Sequence, residues 1–150
     1  PAPPAPPDRR DTGYMTWPTV GYVTQEFGCT TFPWYPPRGD CRYFHDGIDI
    51  ANADGTLIRA AAAGVVAFVG YNPYEAGDDP AWIVIIGHAN GLTSRYVHLQ
   101  PRQAPGVRAG SRVSRGQVIG YMGNTGRSTG THLHWEVQRN GVPVNPRSQL

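Results

Sequence analysis

Lysine is absent from the 150 residues; all thirteen basic side chains are arginine. That excludes a biotinyl or lipoyl carrier, a Schiff-base lysine and a phosphate-loop lysine. Charge is sparse, at 16% of residues and a net +2, and it is interspersed rather than gathered in a stripe. No nucleic-acid partner is expected from such a surface. No apolar run approaches the roughly 20 residues of a membrane-spanning helix, so no membrane span is expected in this segment. Neither an initiator Met nor a signal peptide opens the chain, and a start at Pro1 suggests a processed or excised segment.

What abounds is glycine and proline, 19 and 15 residues, nearly a quarter of the chain against about 12% in an average protein. They punctuate the sequence too often for long helices. Residues 1–13 open with five prolines and two alanines, Pro1–Pro7, read as an extended polyproline II tether. Residues 14–150 then read as one domain of ordinary size.

Cysteine is scarce: only Cys29 and Cys41. They enclose TTFPWYPPRGD, a stretch with little regular structure of its own. A disulfide would restrict it by about 3 kcal/mol in the chain-entropy model and would favour an oxidising compartment. Two buried thiols, or Cys41 as a metal ligand beside His45, are the alternatives.

From Gly21 onward the pattern is one of short strands. Gly64–Tyr71 and Trp82–Gly87 are apolar and β-branched, and Asn90-Gly91 joins the latter run to Leu92–Leu99 in a hairpin. Gln117–Met122 and His132–Arg139 follow, and Asn140-Gly141 turns the last run into Val142–Val144. Only Ala60–Ala63 favours helix, and it is too short to stand alone. The expected class is all-β, two packed and mostly antiparallel sheets.

Four of the five histidines fall in patterns that suggest a metal. His132 and His134 lie two apart on a strand and share a face with Glu136, while Leu133, Trp135 and Val137 take the other. Neighbouring imidazoles repel when charged and waste burial when neutral, and a bound metal resolves both difficulties. His45 and Asp49, four apart across Gly47, can meet the same ion, and His98 adds a third element. His88 precedes a turn and is not expected to be a ligand. Two histidines and a carboxylate suit zinc, where an open position lowers the pKa of a water to about 7. They also suit ferrous iron. The H-x-x-x-D spacing and the surplus of histidines favour zinc hydrolysis over an iron oxygenase.

The blocks HDGIDI, YVHL and GRSTGTHLHWEV, in that order, resemble the lysostaphin-type zinc metallopeptidases, endopeptidases of peptidoglycan. The resemblance runs from about Gly21 to Pro146. It implies His45, Asp49 and His134 as ligands of one Zn2+, and His98 and His132 as catalytic histidines that do not bind the metal. His132 is the expected base, the other histidine bonding the developing oxyanion. Glu136 is read as orienting a ligand or solvated, and Asp46 as pointing away. The resemblance further implies a groove floored by the metal, and VRAGSRVSRGQVIGYMG is similar to the family's lipoyl-like half. Tyr71, Tyr96, Asn124 and Thr125 are groove candidates, with Tyr74, Trp34 and Tyr35 as further aromatics. The expected partner is a peptidoglycan peptide, and the expected state is a monomer outside the cytoplasm or in the cell envelope, of bacterial or phage origin. A catalytically silent module that binds peptidoglycan or activates an amidase is the principal alternative; such relatives typically lack ligands, and none is missing here.

Overall fold

The β-branched and apolar runs fold as strands whose ends are set by glycine, proline and asparagine. A computed structural model describes residues 15–75 and 77–150; the tether assigned to residues 1–13 lies outside them. In chain order the strands are β1 (Tyr22–Gln25), β2 (Gly28–Cys29), β3 (Phe44–His45), β4 (Ile48–Ala51), β5 (Leu57–Arg59) and β6 (Gly64–Tyr71). Then come β7 (Trp82–Gly87), β8 (Leu92–Leu99), β9 (Arg112–Val113), β10 (Val118–Tyr121), β11 (His132–Arg139) and β12 (Val142–Val144). A 3-10 turn at Pro146–Gln149 follows, and no helix among the described residues is long and apolar enough to cross a membrane.

The main sheet has eight strands in the order β1-β4-β11-β8-β7-β6-β9, with β12 also paired to β11. Small two-stranded sheets join β5 to β10 and β2 to β3, and every pairing is antiparallel. The all-β expectation holds, with unequal layers: one broad sheet and two small ones. Both Asn-Gly pairs make the expected hairpin turns, Asn90 and Gly91 at φ 60° and 72°, Asn140 and Gly141 at φ 50° and 80°.

β11 is the spine of this sheet. It bonds β8 along one edge and, along the other, β4 through its first half and β12 through its second. Leu133, Trp135 and Val137 are wholly buried in a core with Ile48, Ile50, Tyr96 and Leu99, which leaves His132, His134 and Glu136 on the opposite face. Cutting a buried Trp such as Trp135 back to Ala costs about 3–5 kcal/mol. The unbroken apolar text of β7 also has a cause. Val84 and Ile86 enter this core, whereas Ile83 joins Ala81 and Val97 in a second cluster, with Phe68 and Ile85 packed against it. A strand buried on both faces has no alternation to show. Ala60, Ala61 and Ala62 are small because they are packed, not because they are helical.

One irregularity decides where the site residues go. Trp82 pairs with Leu99 and Val84 with Tyr96, so β8 spends Val97 and His98 where β7 spends only Ile83. This is a β-bulge, and His98 sits in it at φ 68°, a left-handed conformation uncommon outside glycine. The extra residue reverses the alternation: Tyr96 stays in the core at 0% exposure while His98 turns to the face of β11 that carries His132 and His134. Tyr96 therefore lines no groove. Its hydroxyl accepts from Ala61 N–H at 2.9 Å and lies 2.8 Å from Ser94 Oγ, so Tyr96 is corrected from a groove candidate to a core residue.

Candidate metal centre

His45 ends β3 and Asp49 lies in β4, with Asp46 and Gly47 between the two strands. That turn lies flat on β11: a Cβ on Gly47 would stand 2.5 Å from the Trp135 carbonyl oxygen and 2.8 Å from His134 Cε1. Only glycine leaves room, and the close approach brings His45 over the sheet. Asp49 is the direct cross-strand partner of His134, so their side chains leave the same face side by side.

Three atoms converge there. His45 Nε2 lies 3.1 Å from Asp49 Oδ1 and 3.2 Å from His134 Nδ1, and His134 Nδ1 lies 2.8 Å from Asp49 Oδ1. All three residues are buried, at 0%, 7% and 9% exposure. The outer nitrogens fix the tautomers. His45 Nδ1–H donates to the Glu26 carbonyl at 2.9 Å, and His134 Nε2–H faces Glu136 Oε1 at 3.0 Å and Asp46 Oδ1 at 3.2 Å. Each ring thus turns a lone pair, not a proton, towards the Asp49 carboxylate. Lone pairs and a carboxylate packed this closely repel unless a cation sits among them. The three atoms span edges of 2.8–3.2 Å, near the roughly 3.3 Å that tetrahedral bonds of about 2.0–2.1 Å demand. Nitrogen and oxygen donors at this spacing fit a small divalent ion.

The electrostatics carry the same message. Burial would raise the Asp49 pKa; where protons rather than an ion occupy the ring nitrogens that face it, hydrogen bonds from His134 and His45 instead hold its carboxyl well below the usual range. Burial would lower that of His134, yet its bonds to Asp46, Asp49 and Glu136 raise it well above the ordinary value. The pocket is built to hold positive charge beside these carboxylates, whether as a proton or as an ion. Asp46 does not point away, as the sequence suggested; it shares the His134 Nε2–H with Glu136. The tight Gly47 turn redirects it, and the glycine in HDGID was the available signal.

His98 and His132 flank the cluster, their ring centroids 4.7 Å apart. His98 Nδ1–H donates to the Thr125 carbonyl at 2.7 Å, and His132 Nδ1–H to the Gly130 carbonyl at 2.7 Å, with Ser128 Oγ 3.1 Å away. In both rings the proton is committed to a carbonyl, so Nε2 carries the lone pair; that of His132 lies 3.8 Å from Asp49 Oδ2. Burial pushes the pKa of His98 down to about 4, the Thr125 bond opposing it and the neighbouring His132 and His134 adding to it. His88 is engaged elsewhere, its Nδ1–H on the Ala63 carbonyl and its Nε2 on Ser94 Oγ, each at 2.7 Å.

The remaining candidates divide. Asn124 is exposed, and Tyr71 is 51% exposed with its ring edge-on to Trp82. Thr125 is half-buried and tied to β7, β8 and His98. The Cys29–Cys41 disulfide is formed and closes a loop that carries an aromatic ladder. Phe32 stacks on Trp34 at 4.8 Å, Trp34 meets Tyr35 at 5.9 Å, and Tyr35 packs on the His45 ring at 5.1 Å. Trp34 is 66% and Tyr74 85% exposed.

The sequence profile of peptidase family M23 matches residues 43–146, a stretch holding Asp49 and all the histidines. The chain belongs to this family. The M23 domain is 49% identical over 105 residues to the DD-carboxypeptidase/endopeptidase Mpg of Neisseria meningitidis, covering 69% of this chain and 22% of Mpg. It is 43% identical over 104 residues to the peptidoglycan DD-endopeptidase ShyC of Vibrio cholerae, covering 69% and 22%. The murein hydrolase activator NlpD of Salmonella dublin is 35% identical over 134 residues, 89% of this chain and 30% of NlpD. Among solved structures, a zinc-containing peptidase from Vibrio cholerae superposes with a TM-score of 0.68 at 30% identity, covering 93% of this chain and 39% of the other. The lysostaphin catalytic domain of Staphylococcus simulans gives 0.64 at 26% identity, covering 85% and 90%. The chain spans about a fifth of the length of Mpg and ShyC. Of the strands that carry the His/Asp cluster, the sequence had marked β11, while β3 and β4, which bring His45 and Asp49, were not marked.

Proposed function

We propose that the domain is a zinc-dependent endopeptidase that hydrolyses peptide bonds in peptidoglycan stems or cross-bridges, working as a monomer outside the cytoplasm or in the cell envelope. The observation that carries this reading is the convergence of His45 Nε2, Asp49 Oδ1 and His134 Nδ1 within 2.8–3.2 Å, with two further imidazole lone pairs beside them. The DD-endopeptidase activity named for ShyC and the zinc of the Vibrio cholerae peptidase support the substrate and the metal.

His45, Asp49 and His134 would hold one Zn2+, which when bound polarises the scissile carbonyl and lowers the pKa of a water at its open position to about 7. His132 takes the proton of the attacking water at Nε2, the nitrogen left basic by the Gly130 carbonyl on Nδ1. The imidazolium so formed keeps Nδ1–H on that carbonyl and passes the Nε2 proton to the leaving amine. His98 accepts a hydrogen bond from the water at its own Nε2 and so orients it. Donation by His98 to an oxyanion needs a protonated ring, which burial opposes near neutral pH. Tyr71 and Asn124, both exposed, would serve as groove walls.

Purified protein should carry about one zinc per chain, as a three-ligand site requires. Intact sacculi of several cross-link types should release muropeptides whose masses report a cleaved peptide bond, and His134→Ala should lose both zinc and product. The likeness to NlpD favours a second reading, an activator without its own chemistry. That reading prevails if zinc is bound, no muropeptide appears, and a cell-wall amidase is stimulated.

A further inference from the structure

The geometry assigns Thr125 as the positioning residue that holds the His98 bulge open and sets the His98 tautomer. This rests on the reading of His98 as part of the peptidase site.

A non-glycine residue at φ 68° inside a strand persists only where its surroundings over-determine it. Thr125 supplies those surroundings through three contacts. Its hydroxyl donates to the Leu99 carbonyl at 2.6 Å and accepts from Trp82 N–H at 3.0 Å. Those are the paired residues at the open end of the bulge, so the hydroxyl is wedged between the last pair of β7 and β8. Its own carbonyl, 2.7 Å from His98 Nδ1, then receives the ring proton. One residue thereby ties the frame of the bulge to the side chain the bulge presents.

The flanking glycines show that the wedge is seated rather than laid on the surface. A Cβ on Gly123 would stand 2.6 Å from Gln100 N and 2.8 Å from the Leu99 carbonyl carbon. On Gly126, at φ 76°, it would stand 2.7 Å from Ala81 Cβ and 2.8 Å from Ala81 N. The segment thus rests on the end of β8 at Gly123 and on the residue before β7 at Gly126, with Thr125 between them. Neither approach tolerates a side chain against backbone. Without the hydroxyl, Trp82 N–H and the Leu99 carbonyl lose a partner, and the carbonyl of residue 125 loses its fixed height over His98.

Thr125→Val keeps the shape and removes both hydroxyl contacts. The expected result is a kcat at least tenfold lower with KM and zinc content within twofold of wild type, and Thr125→Ser restores kcat to within about threefold. Nitrogen NMR of the His98 ring in the zinc-loaded protein should show the Nδ1–H form alone in wild type and in Thr125→Ser, and a mixture of tautomers in Thr125→Val. A Thr125→Val protein with wild-type kcat and a single tautomer overturns the assignment. So does Thr125→Val failing to fold while Thr125→Ser, folded, also shows mixed tautomers. If the wild type cleaves no cell wall but the tautomer shift appears, the positioning role stands and the peptidase reading fails.

Discussion

Replacing Glu136 by Gln probes how the protein strengthens its own ligand. Glu136 Oε1 faces His134 Nε2–H at 3.0 Å from a side chain 9% exposed, whereas Asp46 Oδ1 lies 3.2 Å from the same nitrogen on a side chain 46% exposed. A carboxylate behind a metal-binding imidazole fixes the ring and raises its basicity, and losing one costs about 10–100-fold in metal affinity. Glutamine still offers an oxygen to the N–H, so orientation survives and the charge does not. Buried charge is screened less than exposed charge, which places Glu136→Gln above Asp46→Asn. Arg95 Nη1, 3.6 Å from Glu136 Oε2, already offsets part of that charge. The expected loss is therefore about 30-fold for Glu136→Gln, near the middle of the range, and about 10-fold or less for Asp46→Asn. In free energy these are about 2 and 1.4 kcal/mol. Competition for zinc with a chromogenic chelator at fixed pH measures both, and melting of the metal-free proteins checks that each has folded. Glu136→Gln binding zinc as tightly as wild type refutes the reasoning. So does Asp46→Asn proving the weaker binder of the two.

Other outcomes follow from the same geometry. His132→Ala should keep its zinc and lose cell-wall turnover, because its Nε2 stands beside the ligands without closing their triangle; normal turnover would remove it from the mechanism. Burial pushes the Tyr96 hydroxyl up to about 12. The folded pKa exceeds the unfolded value of about 10, so this stability is whole below pH 10 and drains away towards pH 12, about 2–3 kcal/mol in all. Tyr96→Phe should flatten that alkaline limb in urea unfolding, and at neutral pH cost about 1–3 kcal/mol for the stranded Ala61 N–H; an unchanged limb refutes the assignment. Removing the disulfide by Cys29→Ser with Cys41→Ser should cost up to about 3 kcal/mol in the chain-entropy model, and thiol titration of the denatured, unreduced protein should find none.

The part of the site carried by β11 could be read from the sequence because it obeys a simple period. His132, His134 and Glu136 follow the two-residue repeat of a strand, and Asn-Gly pairs announce the turns that register it. Tyr96 and His98 obey the same repeat on paper and part company in the fold. The bulge that separates them is a backbone event at a non-glycine residue, and its cause, Thr125, lies 27 residues further on. Asp46 was misplaced for a related reason: alternation says that neighbours point apart, and a two-residue turn at Gly47 suspends the rule. The partners that fix the tautomers, the carbonyls of Glu26, Thr125 and Gly130, carry no side-chain signature at all.

The placing of β11 bears on when the site can exist. His45 and His134 are 89 residues apart, and Asp49 and His134 are 85 apart, yet they form one triangle. No local segment can assemble it, because loop closure over such separations must precede any reward from contact. On the proposed function, metal capture would be a late event in folding, available only after the spine strand has docked between β4 and β8. A nascent or partly unfolded domain would be chemically mute, and a nick that releases β11 would silence a mature one. Loading with metal would then report that the chain has finished folding.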